Sequence, residues 1–258
     1  MTTLLIDADI VAYKVSSVNE TVIDFNGDGD VAVDVDEQTV RDHCDRLIGE
    51  YCDALKANKV IICLSDPDHN FRKELDPTYK LARKEVRKPE TLMLAKYYMA
   101  DEYRSYQRPR LEADDVMGIL ATSDQIIGGK KIIVSEDKDM RTIPARVYNP
   151  RQPQLGVLDI SPLDADRFHM YQTIMGDPTD GYPGCPGAGP KAAEDVLFED
   201  RANLWDCVLH EYCSRGYTED DAILQAQLAN ILRASDFNLK TKGIRLWQPH
   251  WLIGENTQ

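Results

Sequence analysis

Apolar positions along the chain follow two periodicities. Unbroken runs at Leu4-Leu5-Ile6, Val60-Ile61-Ile62-Cys63-Leu64 and Ile132-Ile133-Val134 have the length and branched content of buried strands. Between them, apolar residues recur three and four apart. Val40, Cys44, Leu47, Ile48, Tyr51 and Leu55 share one face of a helix predicted over 38–57. Shorter helices are predicted over 10–18, 90–103 and 112–122. The last crowds Glu112, Asp114 and Asp115 into its first turn, where the helix dipole favours carboxylates. Residues 21–36 alternate apolar and polar positions around Asn26-Gly27-Asp28-Gly29 and read as a hairpin. A β-like stretch covers 146–160. From 161 to 235 the pattern is almost wholly helical, broken by a Gly/Pro-rich loop at 181–190. Strands alternating with helices predict an α/β part over 1–160, with a basic segment within 70–110, and a helical part over 161–258. Neither an internal repeat nor a low-complexity tract interrupts this plan.

Composition agrees with a packed core: 43 % of the 258 residues are hydrophobic and 29 % are charged. No apolar run reaches membrane-spanning length, and the N-terminus lacks a basic, cleavable leader, so a cytoplasmic protein with no membrane partner is expected. The six cysteines include no CxxC pair and read as reduced thiols. The net charge of −14 argues against a nucleic-acid partner, unless many acids are metal ligands and the bases are clustered. Both conditions hold.

Each of the three apolar runs leads into an aspartate: Asp7, Asp66 and Asp137. In parallel α/β sheets ligands bind beyond the carboxyl ends of the strands, so these side chains are expected at one edge. Further acids come in tight groups: Glu112, Asp114 and Asp115; Asp137 and Asp139; and Asp177 and Asp180, three apart as if on one helical turn. Carboxylates gathered in a protein interior need a counter-cation, and all-oxygen ligands suit Mg²⁺ or Mn²⁺. Nine ligands exceed what one ion needs, and two ions about 3.5–4 Å apart form the clamp used in phosphodiester hydrolysis. Asp9 reads as a local cap. Asp24-x-Asn26-x-Asp28-Gly29 matches the start of a calcium loop, but Val35 stands where the closing glutamate should, and the alternation is that of a hairpin.

Two segments fit phosphates. Residues 72–88 hold Arg72, Lys73, Lys80, Arg83, Lys84, Arg87 and Lys88 against Glu74, Asp76 and Glu85, and Tyr79 adds an aromatic surface for a stacked base. Gly184-Cys-Pro-Gly187-Ala-Gly189-Pro-Lys191 brings backbone amides and a helix start towards a phosphate.

The order and spacing of LLIDAD, RKELDPTYKLARK, LEADDVMG, SEDKDMRTIP, QTIMGDPTDGYPGCPGAGPKAAED, ANILRASDFN and RLWQP resemble the 5′-nuclease superfamily from Asp7 to about Pro249. That group includes flap endonucleases, the 5′-nuclease domain of bacterial DNA polymerase I and phage 5′→3′ exonucleases, and the chain most resembles the last. The resemblance implies a PIN-like, mostly parallel sheet flanked by helices, then a helix–loop–helix element that holds duplex DNA. It implies one metal site at Asp7, Asp66, Glu112, Asp114 and Asp115, and another at Asp137, Asp139, Asp177 and Asp180. Lys80 and Arg83 match bases of a helical arch that act on the scissile phosphate, and Lys14 matches a base that contacts DNA. Gly184, Gly187, Gly189 and Lys191 match the duplex-gripping loop, whose carbonyls hold K⁺ in relatives. The implied activity is metal-dependent 5′→3′ hydrolysis of double-stranded DNA leaving 5′-phosphates, in the cytoplasm of a bacterial host and beside phage replication proteins. Flap endonuclease and RNA-primer-removing activities use the same residues and stand as alternatives. A PIN-like ribonuclease or a non-catalytic DNA-binding protein would fit the glycine loop or the intact acids less well.

Overall fold

In the computed structural model the three apolar runs become neighbouring parallel strands. The structure describes residues 1–24, 31–34, 36–198 and 203–249. In chain order the elements are β1 (Thr2–Asp7), α1 (Ala8–Asn19), β2 (Thr21–Asp24), β3 (Val31–Asp34), α2 (Glu37–Leu55), β4 (Lys59–Leu64), α3 (Phe71–Leu75), α4 (Leu92–Glu102), β5 (Ser105–Gln107) and α5 (Ala113–Ala121). They continue with β6 (Lys130–Val134), β7 (Arg146–Tyr148), β8 (Val157–Asp159), α6 (Pro162–Met175), α7 (Pro190–Phe198), α8 (Leu204–Ser214) and α9 (Glu219–Ala229). The main sheet runs β5-β4-β1-β6-β7-β8, and every pairing is parallel except β7 with β8.

Both faces of this sheet are covered, which explains the unbroken apolar runs. Leu4, Ile6, Ile62, Leu64, Ile132 and Val134 pack beneath α1, α2 and α4. The alternate residues Leu5, Ile61, Cys63 and Ile133 pack beneath α5. Ile231, Leu232 and Phe237, which follow the last helix, join that second layer, so the end of the helical part packs on the α/β part. The helices α6–α9 have their own core around Ile174, Trp205, Val208 and Tyr212.

The predicted hairpin forms by antiparallel pairing of β2 with β3. The calcium-loop residues Asn26, Asp28, Gly29 and Val35 lie outside the described residues. The edge strand β5 has no apolar signal of its own: only three residues long, it is fixed by pairing with β4 rather than by its side chains. Asp177 and Asp180 are not on a helix. The helix α6 ends at Gly176 (φ 67°), and the chain reverses through a turn closed by Asp177 and Tyr182. Gly184 approaches Gly176 so closely that an added Cβ would meet the Gly176 nitrogen at 2.3 Å. Proximity of backbone to backbone therefore ends the helix there.

Candidate active site

The parallel order β4-β1-β6 brings the loops that follow these strands to one edge, as the strand-end aspartates require. Asp7 ends β1 and caps α1. Its Oδ1 accepts from the Ile10 amide at 3.1 Å and its Oδ2 from the Ser135 hydroxyl at 3.0 Å. Asp137 caps a short 3-10 turn by accepting from the Asp139 amide at 2.8 Å, and Asp139 accepts from Gln172 Nε2 on α6 at 2.5 Å. Asp114 lies in the first turn of α5.

These four carboxylates lack enough counter-charge. Burial, then Asp9 and Asp137, push Asp7 up to about 7. Burial and then Asp137 push Asp139 to about 7. Burial, Asp7 and Asp137 hold Asp114 well above the usual range, and burial and Asp180 raise Asp137. Burying carboxylates against one another is costly, and a divalent cation removes the cost. The residues present therefore fit a divalent metal.

The basic segment folds over this edge. Lys80 adopts a left-handed backbone (φ 54°, ψ 24°), an uncommon and costly state for a side-chain-bearing residue. Its amide donates to the Asp180 carbonyl at 2.7 Å, which holds the strained turn in place. Gly181 lies under that contact: an added Cβ would meet the Thr78 carbonyl at 3.0 Å. Lys80 Nζ is 2.5 Å from Glu112 Oε1 and 3.4 Å from Asp180 Oδ2. Burial raises the Glu112 carboxyl, but Lys80 and Arg72 outweigh it and bring it to about 2. Arg83, half exposed, reaches Asp180 Oδ1 at 2.5 Å, and Lys138 reaches Asp177 at 2.8 Å.

Several expected site residues are placed differently. Asp66 lies beyond β4 in the following turn, where its oxygens accept from the Asp68 and Arg110 amides at 3.0 and 2.7 Å. Half-buried, it groups with exposed Asp68 and His69, and its carboxylate is held by loop amides. Asp115 is fully buried and bound at both oxygens by Arg72, at 2.7 and 2.8 Å, and it also accepts from the Glu112 and Leu232 amides. It is a structural anchor with no free face for a metal. Tyr79 is 3 % exposed, so it offers no surface to a base. Its hydroxyl instead lies 3.0 Å from Glu112 and 3.1 Å from Asp180, joining two loops of the site. Gly184 is buried and its amide donates to Gln225 Oε1 at 2.9 Å, so it does not face a phosphate. Gly187 and Lys191 are exposed, Gly189 is half-buried, and nothing crowds either glycine. Lys14 forms a 3.0 Å ion pair with Glu136, which Arg151 also meets at 2.5 Å.

Arg72 is the contributor that sequence reasoning missed, because it counted as one base in a run fitted to a phosphate backbone. It is 2 % exposed and uses every guanidinium N–H: Nε to the Leu228 carbonyl, Nη1 to Glu112 and Asp115, and Nη2 to Asp115 and the Asn230 carbonyl. It ties the base of the arch to α5 and to the segment leaving α9. The apolar neighbours Phe71 and Leu75 were the available signal that one face of this run is buried.

Residues 2–151 match the 5′-3′ exonuclease N-terminal, resolvase-like domain. The chain belongs to the 5′→3′ exonuclease family. It is 36 % identical over 214 residues to the exonuclease of Escherichia phage T7, covering 70 % of this chain and 71 % of that protein. It is 35 % identical over 213 residues to the exodeoxyribonuclease of Enterobacteria phage T3, with 70 % of each chain covered. A flap endonuclease Xni of Shewanella sediminis is 30 % identical over 184 residues, covering 62 % of this chain and 69 % of the relative. The fold resembles that of a bacteriophage T5 flap endonuclease solved with DNA and metal ions, at a TM-score of 0.63 and 14 % identity, covering 90 % of this chain and 89 % of that one. A structure of the T5 5′-exonuclease with bound zinc matches at a TM-score of 0.61 and 15 % identity, with 90 % of each chain covered. As a member of the exonuclease family the protein is a nuclease. No helix among its described residues is long and apolar enough to cross a membrane.

Proposed function

We propose that this protein is a divalent-metal-dependent 5′→3′ exonuclease that hydrolyses phosphodiesters near the 5′ ends of double-stranded DNA and leaves 5′-phosphates. The observation that carries the reading is the meeting of under-neutralised carboxylates (Asp7, Asp114, Asp137, Asp139) with Lys80 and Arg83 at one sheet edge. Asp7, Glu112 and Asp114 would hold one ion, and Asp137, Asp139, Asp177 and Asp180 the other. Seven carboxylates outnumber the cations that meet them, Lys80, Arg83, Lys138 and the Arg72 shared with Asp115, and divalent cations would offset the excess. Mg²⁺ or Mn²⁺ suits this all-oxygen set. The chemistry such ions supply when bound is Lewis acidity, which lowers the pKa of the attacking water and offsets charge on the leaving 3′-oxygen.

The chain's own residues do the rest. Lys80 and Arg83 donate to the non-bridging oxygens of the scissile phosphate and offset the charge that builds there. Tyr79 and Arg72 hold Glu112 and the base of the arch in register. Exposed Gly187 and half-buried Gly189, with Lys191 at the start of α7, receive the duplex backbone, and K⁺ is assigned to the carbonyls of this loop. The protein would act in the cytoplasm of a bacterial host, among phage replication proteins.

The test uses linear duplex labelled on one strand at either end. Immediate release of short 5′-labelled products, gradual shortening of the 3′-labelled strand and complete loss of both in EDTA are expected. An intact duplex alongside a cleaved flap or RNA–DNA hybrid would replace the exonuclease reading with a flap or primer-removing one. Exchanging Mg²⁺ for Mn²⁺, and K⁺ for Na⁺, in the same assay tests the ion assignments.

A further inference from the structure

The helix α5 carries its acids at the N-terminus, yet a second, cationic feature flanks its other half. Arg104, Tyr106 and Arg108 are two apart along and beside the edge strand β5, and so share one face. The guanidinium carbons of Arg104 and Arg108 lie 5.2 and 5.0 Å from the Tyr106 ring centroid. Tyr106 and Arg108 wall a shallow groove floored by Ile119, Leu120 and Phe237, and Leu239, 50 % exposed, lines the same groove. Exposed Lys240 and Lys242 follow Leu239. Among the described residues, none of Arg104, Arg108, Lys240 and Lys242 forms an ion pair with a carboxylate, whereas nearby Arg110 is paired with Glu74 at 2.6 Å.

We propose that this groove docks an acidic, extended peptide segment of a partner protein that carries one bulky apolar side chain. Four unpaired bases on a chain of net charge −14 form a local patch of opposite sign, which attracts and orients an acidic segment. Leu239, exposed at the mouth of the groove, packs against the single large side chain, since Ile119, Leu120 and Phe237 beneath it are buried. One side of β5 is unpaired, so its backbone is open to an extended segment. The ring of Tyr106 is covered by two guanidinium groups, in the place a stacked base would need, so the patch suits a peptide better than a nucleic acid. Ile119 and Leu120 lie five and six residues beyond Asp114, roughly 8 Å along the helix, so a docked peptide leaves the acids free.

Fluorescence anisotropy tests this with the full chain in EDTA. The probes are a labelled Asp/Glu-rich peptide ending in Phe, the same peptide ending in Ser, and unlabelled oligothymidylate as competitor. The expected result is saturable binding of the Phe peptide that weakens about tenfold on raising salt and is several-fold weaker for the Ser peptide. The double variant Arg108→Glu/Lys240→Glu should lose the binding while hydrolysing duplex at the wild-type rate in Mg²⁺. Absence of saturable binding, equal binding by the double variant, equal binding of the Ser peptide, or displacement by oligothymidylate as effective as by unlabelled peptide would each overturn the proposal.

Discussion

Removing divalent cations should open a stability gap that widens as pH rises. Asp7 is 3 % exposed, and its carboxyl is pushed from 3.8 to about 7 by burial first, then by Asp9. Between those values the folded form keeps a proton that the unfolded chain has released. Stability contributed by this group is therefore present at low pH, falls as pH rises through that interval and levels off above about 8. A shift of about three units corresponds to ~4 kcal/mol, and relaxation around the charge lowers this to on the order of 2–4 kcal/mol. Asp139, also at about 7, acts in the same direction, but it shares Asp137 as a neighbour, so the two effects do not simply add. His169 runs the other way: burial lowers it to about 4, so its contribution grows with pH between about 4 and 6.5. It lies in the helical core, on a hydrogen bond to the Ala226 carbonyl, and is common to both metal states. Urea unfolding in EDTA and in excess Mg²⁺ over a pH series isolates the acids as the difference between the two curves. At a metal concentration a hundred times the dissociation constant, linkage alone gives about 2.7 kcal/mol. The gap should widen from about pH 5 to about pH 8 and shrink in Asp7→Asn. A gap independent of pH, or undiminished in Asp7→Asn, would refute the reasoning.

Asp137→Asn should cut duplex turnover by about a thousandfold, whereas Asp66→Asn, whose partners are the Asp68 and Arg110 amides, should change it less than about threefold in the same gel assay. Tyr79→Phe keeps the buried ring but removes the hydroxyl shared by Glu112 and Asp180. It should cost about 1 kcal/mol in urea unfolding and lower kcat more than it raises KM, and an unchanged kcat would mean the hydroxyl positions nothing. Gly184→Ala forces a Cβ to within 2.3 Å of the Gly176 nitrogen and should cost more than about 3 kcal/mol. Gly187→Ala meets open space and only backbone strain at φ 82°, so about 1–2 kcal/mol is expected, and thermal unfolding of the pair checks the order.

Strand cores were legible in the sequence because both sheet faces are buried, which writes the strands as continuous apolar runs. Helix α2 was legible because one face is buried and the other wet. The edge strand β5 was not, since pairing with β4 rather than side-chain pattern makes it a strand. Within the site, residue type announced that acids gather but not which way each one points. Asp66 and Asp115 carry the same chemistry as Asp7 and Asp114, yet one is turned into a loop by backbone amides and the other is claimed by Arg72. Those outcomes depend on contacts 44 and 43 residues away, beyond any local pattern. Tyr79 shows the same limit: an aromatic between bases reads as a surface for nucleotides until packing places it at 3 % exposure.

Lys80 and Arg83 are claimed twice, and this links metal binding to substrate binding. In the free protein Lys80 is 2.5 Å from Glu112 and Arg83 is 2.5 Å from Asp180, so these bases neutralise carboxylates that the proposed function assigns to metals. Burial lowers the Lys80 ammonium pKa, but Glu112 and Asp180 outweigh it and hold the group charged. A phosphate that recruits both bases leaves Asp180 without Lys80 and Arg83 and leaves Glu112 with Arg72 alone, and cations bound at those acids release the bases in turn. Coupling of this kind is reciprocal. Lys80→Met should therefore tighten divalent binding to the DNA-free protein, by about tenfold for a coupling near 1.4 kcal/mol, while it lowers turnover by orders of magnitude. Calorimetric titration with Mg²⁺ reads the affinity separately from the chemistry. If Lys80→Met bound Mg²⁺ more weakly than wild type, Lys80 would be a support of the metal site rather than its competitor, and the exchange would not operate.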